Sequence, residues 1–153
     1  MSAEVSIDVD GVDKVVQKLS DMLIRGKAFT PIFAKQIAEL KLAWAGNFTS
    51  GGFVSGGWAP LDAGYGAWKL AHFPGAPPMV RTGRLFQSLA AGAAESIYSS
   101  TNSSFSIGTT VEYAKFHQYG TTKMPKRQIV FAPEELRRKF ASDAADWIVR
   151  GEI

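Results

Sequence analysis

The stretch TPIFAKQIAELKLAWAGNF, residues 30–48, determines most of the predicted fold. Large apolar side chains recur along it at spacings of four, three, four and four, at Phe33, Ile37, Leu40, Trp44 and Phe48. Residues three and four apart share one face of an α-helix, so the stretch predicts a helix with an apolar face directed at a core. Thr30 and Pro31 predict its start, because threonine is a common cap and proline loses no hydrogen bond in the first turn.

Two further elements are predicted before this helix. Residues 4–10 alternate polar and apolar side chains, which indicates a strand with one buried face. From Val12 the apolar residues change to helical spacing and lie on one face: Val12, Val15, Val16, Leu19, Met22 and Leu23. Gly26 predicts the end of that helix.

Residues 49–80 are rich in glycine and proline and show no periodicity, which predicts an extended loop. Structureless loops longer than about 12–15 residues are uncommon in compact domains and are usually functional or disordered. This one contains five large aromatic residues, which a disordered linker would rarely carry: Phe53, Trp58, Tyr65, Trp68 and Phe73. We therefore expect an assembly loop that orders against a neighbouring surface, and we take these five residues as the candidate subunit interface.

The second half of the chain predicts short elements followed by one long helix. The short elements are a helix through Leu85 capped by Thr82, strands at 96–99 and 105–107, a helix from Val111 to Gln118 that ends at Gly120, and a strand at 128–131. Pro133 predicts the start of a last helix with one apolar face. Together these elements predict a single α+β domain over residues 1–153, with a central antiparallel sheet packed against two N-terminal helices and a C-terminal helix.

The composition excludes several classes of protein. The chain has no cysteine, so disulfide scaffolds, thiolate zinc sites and cysteine nucleophiles are excluded. Its 17 basic and 14 acidic residues are interspersed, and the net charge of +3 does not by itself indicate nucleic-acid binding. No apolar run approaches the ~18 residues of a membrane span, and residues 1–5 lack the pattern of a signal peptide. We therefore expect no membrane partner.

The residues that would support catalysis are few. His72 and His117 do not have a metal-ligand spacing, and neither a nucleophile elbow nor a phosphate-binding loop is present. Asp8, Asp10 and Asp13 are typical of helix caps and solvated charges. The sequence thus predicts no enzyme, no catalytic residue, no metal and no cofactor.

Four segments occur in an order that resembles the phage virion-morphogenesis or tail-completion family of the Mu type, which is related to the head–tail neck proteins of siphophages. Residues 58–61 are similar to the family's W-x-P-L motif, and residues 82–88 to its T-G-x-L-x-x-S motif. Residues 107–120 are similar to its strand, G-T and Y-A-x-x-H-Q-x-G, and residues 125–127 to its P-x-R. The matching residues are Trp58, Pro60, Leu61, Thr82, Gly83, Leu85, Ser88, Tyr113, Ala114, His117, Gln118, Gly120, Pro125 and Arg127. The resemblance covers about half of the chain. The sequence departs from the family pattern at Gln128, where the family usually has a proline.

The resemblance implies a virion structural protein that is made in the host cytoplasm and has neither cofactor nor catalytic activity. It would assemble as a ring at the tail or the head–tail junction, as a tail terminator or a neck component. Its partners would be other copies of itself, other tail or connector proteins, and DNA passing through the lumen. Two alternatives stay open: an assembly factor absent from the finished particle, and a nucleic-acid-binding or enzymatic host-takeover protein.

Several motif residues have more than one interpretation. Tyr113 and His117 are four apart, so they share a helical face and could hydrogen-bond one buried polar group. His117 is either a structural histidine or part of a pH-linked or subunit contact. Trp58 is either a core anchor or a subunit contact. The nearby basic residues form either a solvated face or a surface for DNA or an acidic partner: Arg81, Arg84, Lys123, Lys126 and Arg127.

Overall fold

The computed structural model describes residues 11–152. Its α-helices are α1 (Val12–Arg25), α2 (Thr30–Thr49), α3 (Ala63–His72), α4 (Arg84–Phe86), α5 (Ala114–Tyr119) and α6 (Glu134–Arg150). A 3-10 turn covers Phe53–Ser55, and α4 continues as a π-helical turn over Gln87–Ala91. Two strands, β1 (Ser96–Ser100) and β2 (Phe105–Thr109), complete the α+β fold that the sequence predicts. The strand predicted at residues 4–10 lies outside the described residues.

Helix α2 lies at the centre of the core, as residues 30–48 predict. Its apolar face is buried from Ile37 to Phe48, and Trp44 and Phe48 are only 2% and 0% exposed. Leu40, Trp44 and Phe48 pack with five buried residues from later in the chain: Leu85, Leu89, Val111, Ala114 and Ile129. Burial of a large apolar side chain contributes about 1.5–3 kcal/mol, so this face is a principal source of stability.

The sheet of the described residues is a two-stranded hairpin. Strands β1 and β2 pair antiparallel, from Ser96 opposite Thr109 to Ser100 opposite Phe105. The strand predicted at 128–131 does not join this hairpin, so that prediction was wrong. Its backbone instead bonds to a side chain of α5: Gln118 Oε1 accepts hydrogen bonds from the backbone N–H groups of Ile129 and Val130, both at 2.9 Å. Gln118 Nε2 donates to the carbonyl of Val130 at 2.8 Å.

Other side chains bond two more backbone carbonyls of the same segment. Trp58 Nε1 and Asn47 Nδ2 donate to the carbonyl of Gln128 at 2.9 and 3.1 Å. Trp44 Nε1 donates to the carbonyl of Phe131 at 2.7 Å. A buried polar group left without a partner costs about 1–3 kcal/mol. These side chains supply the hydrogen bonds that no strand among the described residues provides.

The predicted loop at 49–80 is only partly irregular, because it contains α3. Asp62 caps this helix: its Oδ1 accepts from the N–H groups of Gly64 and Tyr65 at 3.0 and 3.1 Å. Lys69 is 3% exposed and donates from Nζ to the carbonyls of Pro77 and Pro78, which ties α3 to the following turn. Glycine has low helix propensity, so Gly64 and Gly66 obscured the helix in the sequence.

Helix α1 forms where the sequence predicts it, but its apolar face is not part of the core of the described residues. Its C-terminal end packs against α6, where Trp147 Nε1 donates to the carbonyls of Arg25 and Ala28. Val15, Leu19 and Leu23 are 59%, 55% and 67% exposed. The apolar face of α6 is half-buried.

Gly52 provides a test of how closely Trp58 packs against the end of α2. Gly52 has a φ of +92°, and a Cβ placed there would lie 2.3 Å from the Trp58 ring. Gly56 has a φ of +94° but faces open space, so it carries the same backbone strain without the clash. We expect Gly56→Ala to cost about 1–2 kcal/mol of unfolding free energy, and Gly52→Ala about 1–3 kcal/mol more because the ring must move. Urea unfolding of both variants would measure this, and equal losses would contradict it.

Candidate functional site

Arg127 joins three of the four motif segments. It is 5% exposed, and its guanidinium donates to the carbonyls of Ala59 and Pro60 at 3.0 and 2.8 Å. Its backbone N–H donates to the carbonyl of His117 at 2.7 Å. The W-x-P-L, Y-A-x-x-H-Q-x-G and P-x-R segments therefore meet at one buried arginine. Arg127 therefore does not belong to an exposed basic surface. The predicted surface for DNA or an acidic partner is left with Arg81, Arg84, Lys123 and Lys126.

Ser88 joins the remaining segment, residues 82–88, to the segment that contains β2. It is 1% exposed; its Oγ donates to the carbonyl of Leu85 at 2.9 Å and lies 2.7 Å from Oγ1 of Thr109. This pair of hydroxyls connects the T-G-x-L-x-x-S segment to the end of β2. The predicted cap at Thr82 is wrong, because α4 is preceded by Gly83 at a φ of +81° and has no side-chain cap. A short helix can begin without a side-chain cap where its first N–H groups reach solvent.

The Y-A-x-x-H-Q-x-G segment forms α5 and the turn after it. The ring of Tyr113 meets the His117 ring edge to face, with centroids 6.0 Å apart, and Ala114 is buried in the core. The predicted shared hydrogen bond is not formed: Tyr113 is exposed, and the buried Nδ1 of His117 has no hydrogen-bond partner among residues 11–152. Gly120 ends the helix as predicted, with a φ of +77°. A Cβ there would lie 2.9 Å from the backbone nitrogen of Lys126, so only glycine fits.

The motif segments and the start of α3 enclose a cavity of about 480 Å³. Part of its wall is apolar and aromatic, with Leu61, Tyr65, Met79, Tyr113, Phe116, Met124 and Pro125. Another part is basic, with Arg81, Arg84, Lys123 and Arg127, and His117 also lines it. Sequence reasoning identified the motif residues here but missed Met79, Phe116 and Met124. Nothing in their spacing marks them, because only the tertiary fold brings them together.

The basic groups of the cavity differ in their pairing. Arg84 forms an ion pair with Glu95, which raises the pKa of Arg84 and lowers that of Glu95. Among the described residues, neither Arg81 nor Lys123 forms an ion pair with a carboxylate. Asp62, at the edge of the cavity, uses one carboxylate oxygen to cap α3. The cavity can therefore offer two cations to an anionic group.

His117 is held in its neutral form. Burial lowers the pKa of its imidazole, and the positive charge of Arg127 lowers it further. At neutral pH the ring therefore has one N–H and one acceptor nitrogen.

The five aromatic residues of the predicted interface fall into separate environments. Trp58 is half-buried and meets Phe48 edge to face at 5.6 Å, so it packs within its own chain. Tyr65 and Trp68 are each 41% exposed on α3, and their rings stack at 5.7 Å. Phe73 contacts Trp68 at 5.8 Å, and Phe53 is 81% exposed. The exposed aromatic surface is therefore centred on Tyr65 and Trp68.

Over residues 11–152, no group of three or more histidine, aspartate or glutamate side chains is placed to hold a metal ion. Within the same range, no helix has both the length and the apolar character needed to cross a bilayer. The chain matches no protein-family model, no curated protein and no solved structure.

The neutral state of His117 has a consequence for stability. Its pKa is lower in the folded chain than in the unfolded chain, so the unfolded chain binds more protons as the pH falls through the ordinary histidine range. His117 therefore contributes stability above its ordinary pKa of 6.5 that is lost as the pH falls below it. We expect the stability difference between pH 7.5 and pH 5.5 to be smaller in His117→Gln than in the unsubstituted protein. Urea unfolding at both values would measure it.

His72→Gln is the matched control, because the His72 side chain lies at the exposed surface of α3. This variant should keep the pH dependence of the unsubstituted protein. An unchanged pH dependence in His117→Gln would show that the buried imidazole does not contribute to it.

Proposed function

We propose that this chain is a structural protein of a tailed-phage virion, which completes the tail or joins it to the head as a ring-forming tail terminator or neck component. The observation that carries the proposal is the hydrogen bonding of Arg127, which joins segments 58–61, 113–120 and 125–127. These segments resemble one phage family in the same order along the chain. Their residues form one connected unit rather than scattered matches, as expected if they define a shared fold.

The surface supports an assembly role. Tyr65 and Trp68 form an exposed aromatic pair on α3, and the apolar face of α1 is exposed over several turns. Exposed apolar patches commonly mark protein–protein contacts. Copies that join head to tail close into rings when the rotation between them permits, and such closed symmetry suits the end of a tube.

The charge of the cavity supports a binding role. Its described charged groups are mostly basic, and Asp62 is engaged as the cap of α3. These features suit the recognition of an anionic segment.

The proposal is tested by a phage that lacks the gene for this protein. We expect free heads and tails of abnormal length or with unfinished ends in electron micrographs, and we expect the protein itself in the mass spectrum of purified wild-type virions. Normal joined tails in its absence would refute the proposal. A tail defect combined with absence from the virion would favour the alternative, an assembly factor that acts before the particle is finished.

The aromatic pair on α3 predicts a separation of folding from assembly. Tyr65→Ser combined with Trp68→Ser removes exposed rings, so we expect an unchanged circular dichroism spectrum with loss of the ring in size-exclusion chromatography with light scattering. Leu70→Ser is the matched control, because Leu70 is 69% exposed on the same helix, away from the stacked pair. If the double variant unfolds, or assembles like the control, the subunit contact lies elsewhere.

A further inference from the structure

The cavity between the motif segments has features of a peptide-binding site that its structural role does not explain. Leu61, Met79 and Met124 give it an apolar wall, and Arg81 and Lys123 add two cations without carboxylate partners among the described residues. The volume of about 480 Å³ lies within the usual range for ligand pockets, roughly 300–1,000 Å³.

One wall of the cavity also carries a polar group that lacks a bond. The Nδ1 of His117 is buried and has no hydrogen-bond partner among the described residues. Buried polar atoms are nearly always hydrogen-bonded, but this nitrogen is not exposed to the cavity. The fit of a segment therefore depends on the apolar wall and the two cations. These features together select an extended segment that presents apolar side chains beside carboxylates.

Residues 4–10, Glu-Val-Ser-Ile-Asp-Val-Asp, have that composition. Val5, Ile7 and Val9 alternate with polar residues, and Glu4, Asp8 and Asp10 supply three carboxylates. No lysine or arginine occurs in residues 1–10. An extended strand sends alternate side chains to opposite faces, so its valine and isoleucine side chains can enter an apolar cavity together. The carboxylates would then lie on the opposite face, at the mouth of the cavity, where the long side chains of Arg81 and Lys123 can reach them.

We propose that the cavity receives residues 4–10 of a neighbouring copy of this chain. The inference rests on the proposed function, because a ring supplies the neighbouring copy, and it names one contact by which the ring would be held. A terminal segment that docks into the next subunit is a head-to-tail contact, and such contacts close into rings when the rotation permits. Opposite charges at the rim would fix the direction of the segment and exclude segments rich in lysine.

Photo-crosslinking between isotopically distinct copies tests this contact in the full chain. One copy has ordinary nitrogen and p-benzoylphenylalanine in place of Ile7; the other is labelled with nitrogen-15 and is otherwise unchanged. We call the copy with ordinary nitrogen light and the copy with nitrogen-15 heavy. After mixing and irradiation, we expect light N-terminal peptides joined to heavy peptides that contain Met79 or Met124. Crosslinks only within light copies, crosslinks to heavy peptides remote from the cavity, or no crosslinks at all would each overturn the proposal.

Charge reversal makes the test specific. A heavy copy with Arg81→Glu and Lys123→Glu should lose crosslinking by about tenfold or more, the factor that corresponds to ~1.4 kcal/mol of binding free energy. A light copy that also carries Asp8→Lys and Asp10→Lys should restore crosslinking to that reversed partner. The matched control is a heavy copy with Lys27→Glu and Arg138→Glu, which makes the same charge change at exposed positions outside the cavity wall.

Undiminished crosslinking to the reversed partner, or failure of the second reversal to restore it, would overturn the proposal. These results are independent of the proposed function, which is decided by virion composition and tail morphology. A protein found in the tail whose residues 4–10 do not crosslink to the cavity would refute this contact alone. A protein absent from virions that gives the expected crosslinks would refute the tail role alone.

Discussion

The structure depends on one constraint: the segment 127–131 packs into the core, and no strand among residues 11–152 pairs with it. Its backbone N–H and carbonyl groups must be hydrogen-bonded, because an unpaired buried polar group costs about 1–3 kcal/mol. Side chains from three parts of the chain meet this need, with Trp44 and Asn47 from α2, Trp58 from the following loop, and Gln118 from α5. The long helix, the loop and α5 are therefore held together through the backbone of one short segment.

The same segment positions the cavity. Arg127 begins it, and its guanidinium binds the carbonyls of Ala59 and Pro60 while its N–H binds that of His117. The cavity walls are consequently fixed to the core, although they come from residues far apart in the chain. A preformed site of this kind loses little entropy when a segment binds, which favours affinity.

The motif residues serve both the core and the cavity, whereas the other surfaces available to partners lie outside the motifs. Trp58, Leu85, Ser88, Ala114, Gln118 and Arg127 face inward and maintain the fold. The exposed groups are the rings of Tyr65 and Trp68, the apolar face of α1 and the rim of the cavity. A structural protein that must fit particular neighbours can vary such surfaces without loss of its core. This division supports the proposed role in virion assembly.

The sequence by itself determined the helices with long, regular apolar spacing and the β1–β2 hairpin, because periodicity is a local property. It also identified, through motif resemblance, about half of the residues that line the cavity. Only the tertiary structure decided what those residues do. The segment 128–131 has the composition of a strand, but no strand of residues 11–152 pairs with it, and side chains hydrogen-bond its backbone instead. The apolar spacing of α1 predicted a buried face, but that face is exposed in the structure of the described residues. Met79, Phe116 and Met124 lie far apart in the chain, and the fold brings them together in the cavity wall. Burial and hydrogen-bond partners depend on which elements meet in space, and local spacing does not encode that.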